Sequence, residues 1–211
     1  MDTDARLATL EERARSLISS EDASHDWLHV CRVRNSCLSL GREAGANLIT
    51  LMPGALLHDV VNIKKDDPRR SRASRLAAEA AAPVLAECGY TVPEVEAIQV
   101  IIEEHSYSAN LRATTLESAV LQDADRLDAL GAIGVFRVAT SGSRMGSSYY
   151  HPEEPFPLGR ELNDRKYSID HFYRKILELP KGFNTEPGRR EAQRRVNFTL
   201  QFLEQLRTEL A

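Results

Sequence analysis

The run Leu51-Met52-Pro53-Gly54-Ala55-Leu56-Leu57 is apolar throughout and passes directly into His58-Asp59. A run of that kind belongs in a core, so any fold of this chain must carry an imidazole and a carboxylate to the edge of that core. Left unpaired there, the two groups would cost roughly several kcal/mol. A bound cation is one way to remove that cost. His29 lies upstream, inside Ser24-His25-Asp26-Trp27-Leu28-His29-Val30-Cys31-Arg32-Val33. Asp125 lies downstream, inside Leu121-Gln122-Asp123-Ala124-Asp125-Arg126-Leu127-Asp128-Ala129-Leu130. Two imidazoles and two carboxylates make a mixed nitrogen and oxygen set, suited to Mn, Fe, Zn or Ni rather than to Ca or Cu(I).

The order His, then His-Asp, then Asp, each on an otherwise helical stretch, resembles the HD-domain metal-dependent phosphohydrolases. Two phrases, Ala55-Leu56-Leu57-His58-Asp59-Val60 and Gln122-Asp123-Ala124-Asp125-Arg126-Leu127-Asp128-Ala129-Leu130-Gly131-Ala132-Ile133-Gly134, are similar to one subgroup of small bacterial HD hydrolases. The similarity continues through Ile169-Asp170-His171-Phe172-Tyr173-Arg174-Lys175-Ile176-Leu177 and the C-terminal helix. A His-Asp dipeptide recurs by chance, whereas four elements in order with matching neighbours form a specific signal. The resemblance implies His29, His58, Asp59 and Asp125 as ligands of a divalent metal ion, one of Mn, Mg, Fe, Ni or Zn. Two-metal members carry two further histidines between the His-Asp pair and the last aspartate. This chain has only His105 in that interval, so one ion is expected, with His105 beside the pocket as a substrate-binding or supporting group, the alternative being a histidine near a helix C-terminus favoured by the dipole.

Composition narrows the class. At 211 residues the chain can bury a full core, and its length suits a single domain over residues 1–211. A net charge of -4 argues against a nucleic-acid coat or a membrane-surface binder. No apolar run is long enough to span a bilayer, and the first residues lack a signal-peptide pattern, so a cytoplasmic protein is expected. Cys31, Cys37 and Cys88 have no zinc-type spacing and read as reduced, buried thiols.

Periodicity predicts an all-α bundle with its metal between helices. Helices are expected over about Asp4 to Ser19, Asp26 to Ala44 with Ser24 or Asp22 as cap and Gly45 as stop, and Asn47 to Val60. Others are expected over Ser71 to Cys88, Pro93 to His105, Thr115 to Ala129, Gly131 to Thr140, Lys166 to Glu178 and Glu186 to Thr208. No segment alternates as a strand does. Between them, residues 141–164 collect Gly142, Gly146, Pro152, Pro155, Pro157 and Gly159 around Tyr149, Tyr150 and Phe156. A loop of this length is read as a flap beside the site, the alternative being an unordered excursion over the surface.

A divalent cation with open positions supplies a nucleophilic water and polarises a phosphoryl oxygen, which suits hydrolysis of a phosphoester or phosphoanhydride. The charge that develops needs fixed cations. Lys64 and Lys65, Arg126, and His171 with Lys175 one turn later are the candidates, although lysines in such a run are often simply solvated. His25 shares a helix face with His29. The resemblance selects His29 as ligand and leaves His25 as a phosphate contact, a supporting group or a helix-start histidine bonded to Asp26. Glu104 is the candidate general acid or base, and Asp128 a candidate catalytic or substrate-orienting group. Asp123, and Asp128 as its alternative, read as capping or salt-bridging residues. The alarmone-cleaving relatives place an acidic pair after His-Asp, where this chain has Val60-Val61-Asn62-Ile63. That departure weakens an alarmone-hydrolase reading. The leading expectation is hydrolysis of a nucleotide or similar small phosphorylated substrate; the resemblance to the small bacterial subgroup implies nucleoside triphosphate pyrophosphohydrolysis foremost and nucleotide monophosphatase activity behind it, with no nucleic-acid polymer or membrane partner. The alternatives are a two-iron oxygenase on the same scaffold and a metal-dependent ligand sensor without turnover.

Overall fold

Asp26 accepts a hydrogen bond from the His29 backbone N–H at 2.9 Å, and this cap starts the helix that carries His29. The expected caps Ser24 and Asp22 lie outside the residues that the computed structural model describes, which are 2–18, 25–63, 67–106 and 109–211. Those residues form α1 (Thr3–Leu17), α2 (Trp27–Ala44), α3 (Leu48–Leu57), α4 (Ala73–Glu87), α5 (Val92–Glu104), α6 (Leu116–Leu127), α7 (Gly131–Arg144), α8 (Ser168–Arg174) and α9 (Glu186–Glu209). Short 3-10 turns occupy Arg70–Arg72 and Ile176–Gly182. The fold is all-α, with no strand among the described residues.

One compact unit runs to Asp125 and includes Asn184–Pro187. Its centre is α3, buried on every side from Thr50 to Leu57, as a helix apolar all round must be. Asn47 caps α3 by accepting from the Ile49 N–H, while its own N–H donates to Glu117 of α6 at 2.7 Å. A Cβ on Gly54 would sit 2.9 Å from Cγ2 of Ile101, so glycine is what lets α3 and α5 approach this closely. The core around them is Leu10, Ala14, Val30, Leu56, Leu57, Ala77, Ala81, Leu85, Ile98 and Ile102. Thr91 and Glu94 form a capping box at the start of α5, with Pro93 in the first turn as expected.

The expected helix over Asn47 to Val60 ends earlier, at Leu57, so His58 and Asp59 stand at its end rather than inside it. Likewise α5 stops at Glu104 and places His105 at its C-cap. Both changes put the ligand candidates where a helix opens and side chains can turn towards one another.

The second unit comprises Arg126–Phe183 and Gly188–Ala211. Here α7 continues past Thr140 to Arg144. Gly142 reads as a breaker in sequence, but a Cβ there would lie 2.2 Å from Oγ of Ser168, so it is a close-approach residue inside the helix. The expected helix over Lys166 to Glu178 is shorter, Ser168–Arg174, and gives way to the 3-10 turn that contains Pro180. Between α7 and α8 the chain is bound down rather than loose. Ser148 and Tyr167 form a bridge, Ser147 Oγ donates to the Arg165 carbonyl at 2.9 Å, and Phe156 is buried. Both Nη atoms of Arg160 donate to the Asp170 carboxylate at 2.6 Å.

Candidate metal centre

All five donors at this centre are carried by helix ends or turns of the first unit. His29 comes from the first turn of α2, His58 and Asp59 from the end of α3, His105 from the end of α5 and Asp125 from the last turn of α6. Nε2 of His29 lies 3.2 Å from Nε2 of His58, 3.5 Å from Asp125 Oδ1 and 3.6 Å from Asp59 Oδ2. Nε2 of His58 is 3.7 Å from Asp59 Oδ2, and Nε2 of His105 is 3.6 Å from Asp59 Oδ1. The three imidazoles are buried, and the Asp59 and Asp125 carboxylates keep 17% and 25% exposure, which leaves one side of the cluster open.

The tautomers follow from the backbone. Nδ1–H of His58 donates to the Ala55 carbonyl at 2.8 Å, and Nδ1–H of His105 donates to the Ile102 carbonyl at 2.6 Å. In their neutral forms both rings therefore turn an Nε2 lone pair inward, towards carboxylates that also carry lone pairs. Acceptors facing acceptors at 3.2–3.7 Å repel unless something positive stands between them. Ligands about 2.0–2.2 Å from one ion lie about 3.0–3.6 Å apart, so the spacing fits donors that share a cation. Two overlapping sets each bring three donor atoms within 4.8 Å of one another, His29, His58 and Asp125, and His58, Asp59 and His105.

Electrostatics agree with the geometry. Burial pushes the His58 imidazole down to about 4, so it stays neutral and able to ligate near neutral pH. Burial would raise the Asp59 carboxyl, but His58, His105 and His29 hold it well below the usual carboxylate range. Burial disfavours a charge on His105, and the adjoining Asp59 carboxylate more than offsets that, leaving its pKa raised.

The other expected site residues have different surroundings. His25 sits edge-on to His29, ring centroids 5.6 Å apart. Lys64 and Lys65 lie outside the described residues. Glu104, expected as general acid or base, accepts instead from the Thr114 N–H at 2.9 Å and from its hydroxyl at 2.7 Å, closing the segment that follows α5. Asp128 is buried and accepts from Arg137 at 2.8 Å, as its salt-bridging alternative anticipated. Arg126 donates to the Gly182 carbonyl, His171 pairs with Asp164 at 3.1 Å, and Lys175 caps α8. These last four residues all belong to the second unit.

Sequence reasoning placed His105 only near the pocket and gave Gln122 no role. Gln122 is buried, and its amide donates to the Glu104 carbonyl at 2.7 Å and the Leu111 carbonyl at 3.0 Å. Asp123 is a capping residue, as expected. It accepts from the Asn184 and Thr185 N–H groups, each at 2.8 Å, just ahead of α9. A Gln-Asp pair just before the candidate ligand Asp125 was the available signal.

Helices converging histidine and aspartate ends on one cation-sized gap define a class of metal-binding α-helical domain. Residues 27–130 match the HD domain, and the chain is a member of the HD-domain superfamily. It is similar to YpgQ of Bacillus subtilis strain 168, 29% identical over 200 residues that span 93% of this chain and 89% of the relative. The crystal structure of YpgQ in complex with ADP matches with a TM-score of 0.78 at 27% identity, covering 99% of this chain and 97% of that one. An HD-superfamily hydrolase from Bacillus thuringiensis matches with a TM-score of 0.78 at 28% identity, covering 99% and 98%. The fold is thus that of HD-superfamily hydrolases. No helix among the described residues is long and apolar enough to cross a membrane.

Proposed function

We propose that this chain is a metal-dependent phosphohydrolase that cleaves a phosphoester or phosphoanhydride bond of a nucleotide or similar small phosphorylated substrate. The observation that carries the reading is the inward convergence of imidazole Nε2 atoms and two carboxylates at 3.2–3.7 Å. His29, His58, Asp59 and Asp125 would hold one divalent ion, of the group Mn, Mg, Fe, Ni and Zn. When bound, such an ion supplies a water of lowered pKa and a Lewis acid for the phosphoryl oxygen. The remaining work falls to the protein's own side chains. His58 and His105 keep their rings aimed through bonds to backbone carbonyls, and the partly exposed Asp59 and Asp125 carboxylates face the side from which substrate can enter. His25 stands beside His29 and is the described residue best placed to meet a phosphate there.

The ADP bound to YpgQ supports a nucleotide as the substrate class, and nucleoside triphosphate pyrophosphohydrolysis is the activity to examine first. Metal-stripped protein is incubated with nucleotides and phosphate esters, with Mn or Mg restored, beside Asp59→Ala. Metal-dependent release of pyrophosphate or phosphate that disappears in the variant is the expected result. Metal binding without release from any substrate would defeat the hydrolase reading.

A further inference from the structure

Asp125 and His105 arrive at the metal centre from different helices, and one buried side chain ties those helices together. Gln122 lies one turn before Asp125 on α6, so the two side chains share a face. Its amide nitrogen donates to the carbonyl of Glu104, one peptide before His105, at 2.7 Å, and to the carbonyl of Leu111 at 3.0 Å. Its Oε1 accepts from Asn184 Nδ2 at 3.0 Å. Both amide hydrogens are thereby spent on the segment that carries His105, and the oxygen is anchored elsewhere. The Glu104 carboxylate holds the same segment through Thr114. The His105 ring is then aimed by its own bond to Ile102, with Nε2 3.6 Å from Asp59 Oδ1.

We propose that Gln122 is a positioning residue of the metal centre, fixing the Glu104–His105 peptide on α5 relative to Asp125 on α6 so that the third imidazole faces Asp59. The inference rests on the reading of this cluster as a metal site. A turn-end such as the one after α5 has carbonyls without helical partners, and a neighbour must satisfy them. A glutamine is suited to that task because its two N–H groups diverge and can hold two carbonyls of different turns at once. His105 supports the ligand candidate Asp59, and groups that support a ligand in this way typically change metal affinity by about 10- to 100-fold when removed. Gln122 acts through His105, so its effect depends on that ring being present.

The test is a double-mutant cycle read by Mn(II) affinity and by the electron paramagnetic resonance spectrum of the Mn(II)-loaded protein. Wild type, Gln122→Met, His105→Ala and the double variant are compared, with Gln122→Asn as a shorter amide should Gln122→Met fail to fold. Gln122→Met is expected to weaken Mn(II) by about 10- to 100-fold and alter the spectrum. In the His105→Ala background the same change is expected to add nothing. Equal losses in both backgrounds would overturn the inference, as would a lowered melting temperature of the metal-free variant with Mn(II) affinity and spectrum unchanged. Wild-type protein that binds no Mn(II) would instead remove the metal-centre reading itself.

Discussion

Two regions of the molecule withdraw carboxylates from solvent, fully at Asp170 and in part at Asp59, and they satisfy them in opposite ways. In the second unit, Asp170 is fully buried, accepts from both Nη atoms of Arg160 at 2.6 Å and takes a third bond from the Asn163 N–H at 2.7 Å. Burial would raise its pKa, but Arg160 holds it below the usual range. In the first unit, Asp59 meets only imidazoles among the described residues, at 3.6–3.7 Å, and their backbone-fixed tautomers turn lone pairs towards it. The first arrangement is complete and serves to fasten the segment between α7 and α8. The second sets its carboxylate among imidazoles in a group that could hold a metal ion. The Asp170 carboxylate is fully buried and that of Asp59 partly exposed, and the distinction between architecture and site lies in whether the protein's own donors satisfy the charge.

The comparison breaks most readily at Asp59. Asp59→Ala is expected to abolish metal-dependent turnover and to make the protein's melting temperature indifferent to Mn(II). In wild type, metal at about 1,000 times its dissociation constant should stabilise the fold by about 4 kcal/mol, visible as a fall in melting temperature on adding chelator. Unchanged melting of wild type with and without chelator would show that the cluster is as self-sufficient as the Arg160–Asp170 pair. The reciprocal change is Asp170→Asn. Removing one member of a buried pair leaves the other charge uncompensated and should destabilise by about 3 kcal/mol, measured by denaturant unfolding. Mn(II) affinity should be retained in that variant, and its loss would contradict the division of roles.

The two regions also differ in how far they could be read from sequence. His58 and Asp59 stood out because they follow an apolar run, where a polar pair needs a reason, whereas His29 and Asp125 were picked out by the resemblance to the HD-domain hydrolases. The cluster brings all four together, although their service as ligands is still a proposal. His105 ended an ordinary helix, and its approach to Asp59 depends on the close packing of α3 on α5, which hangs on a glycine contact that no local pattern announces. Gln122 and Asp123 find partners at Asn184 and Thr185, some sixty residues away, so their role is tertiary by nature. In the second unit, proline and glycine content pointed to a break from helix over 141–164, whereas α7 runs on to Arg144 with Gly142 inside it. That content could not reveal that Arg160 and Asp170 would fasten the segment between α7 and α8, because a single arginine and a single aspartate ten residues apart carry no periodicity.

A smaller effect sharpens the packing side of the comparison. The α3–α5 approach that delivers both His58 and His105 leaves no space for a methyl group at Gly54. Gly54→Ala would place its Cβ 2.9 Å from Cγ2 of Ile101, and overpacking of this kind should destabilise by about 1–3 kcal/mol. The accompanying shift of α5 should weaken Mn(II) binding in addition, which a stability change confined to the second unit should not do. A variant that melts lower but binds Mn(II) as wild type does would show that the centre tolerates movement of α5.

The smallest effect is the pH response of a pair that is neither site nor deep core. Arg6 of α1 meets the Glu94 carboxylate at 3.0 Å, and that carboxylate also accepts from the Thr91 N–H at 2.7 Å within the capping box of α5. The Arg6 guanidinium, followed by the Thr91 N–H, pulls the Glu94 pKa down to about 2 from an ordinary 4.5. A carboxyl depressed in the folded state contributes stability that is fully present above its unfolded pKa and is lost as pH falls through its folded one. The contribution should therefore fade between about pH 4.5 and pH 2 and be constant at neutral pH. Its size is that of a partly exposed ion pair, about 0.2–1 kcal/mol. Glu94→Gln should flatten the acid limb of the stability curve by that amount in chelated protein, where the metal centre contributes nothing to the difference. An acid limb identical in the two proteins would mean that Arg6 and Glu94 are held apart in solution, and that α1 is tied to α5 by its apolar face alone.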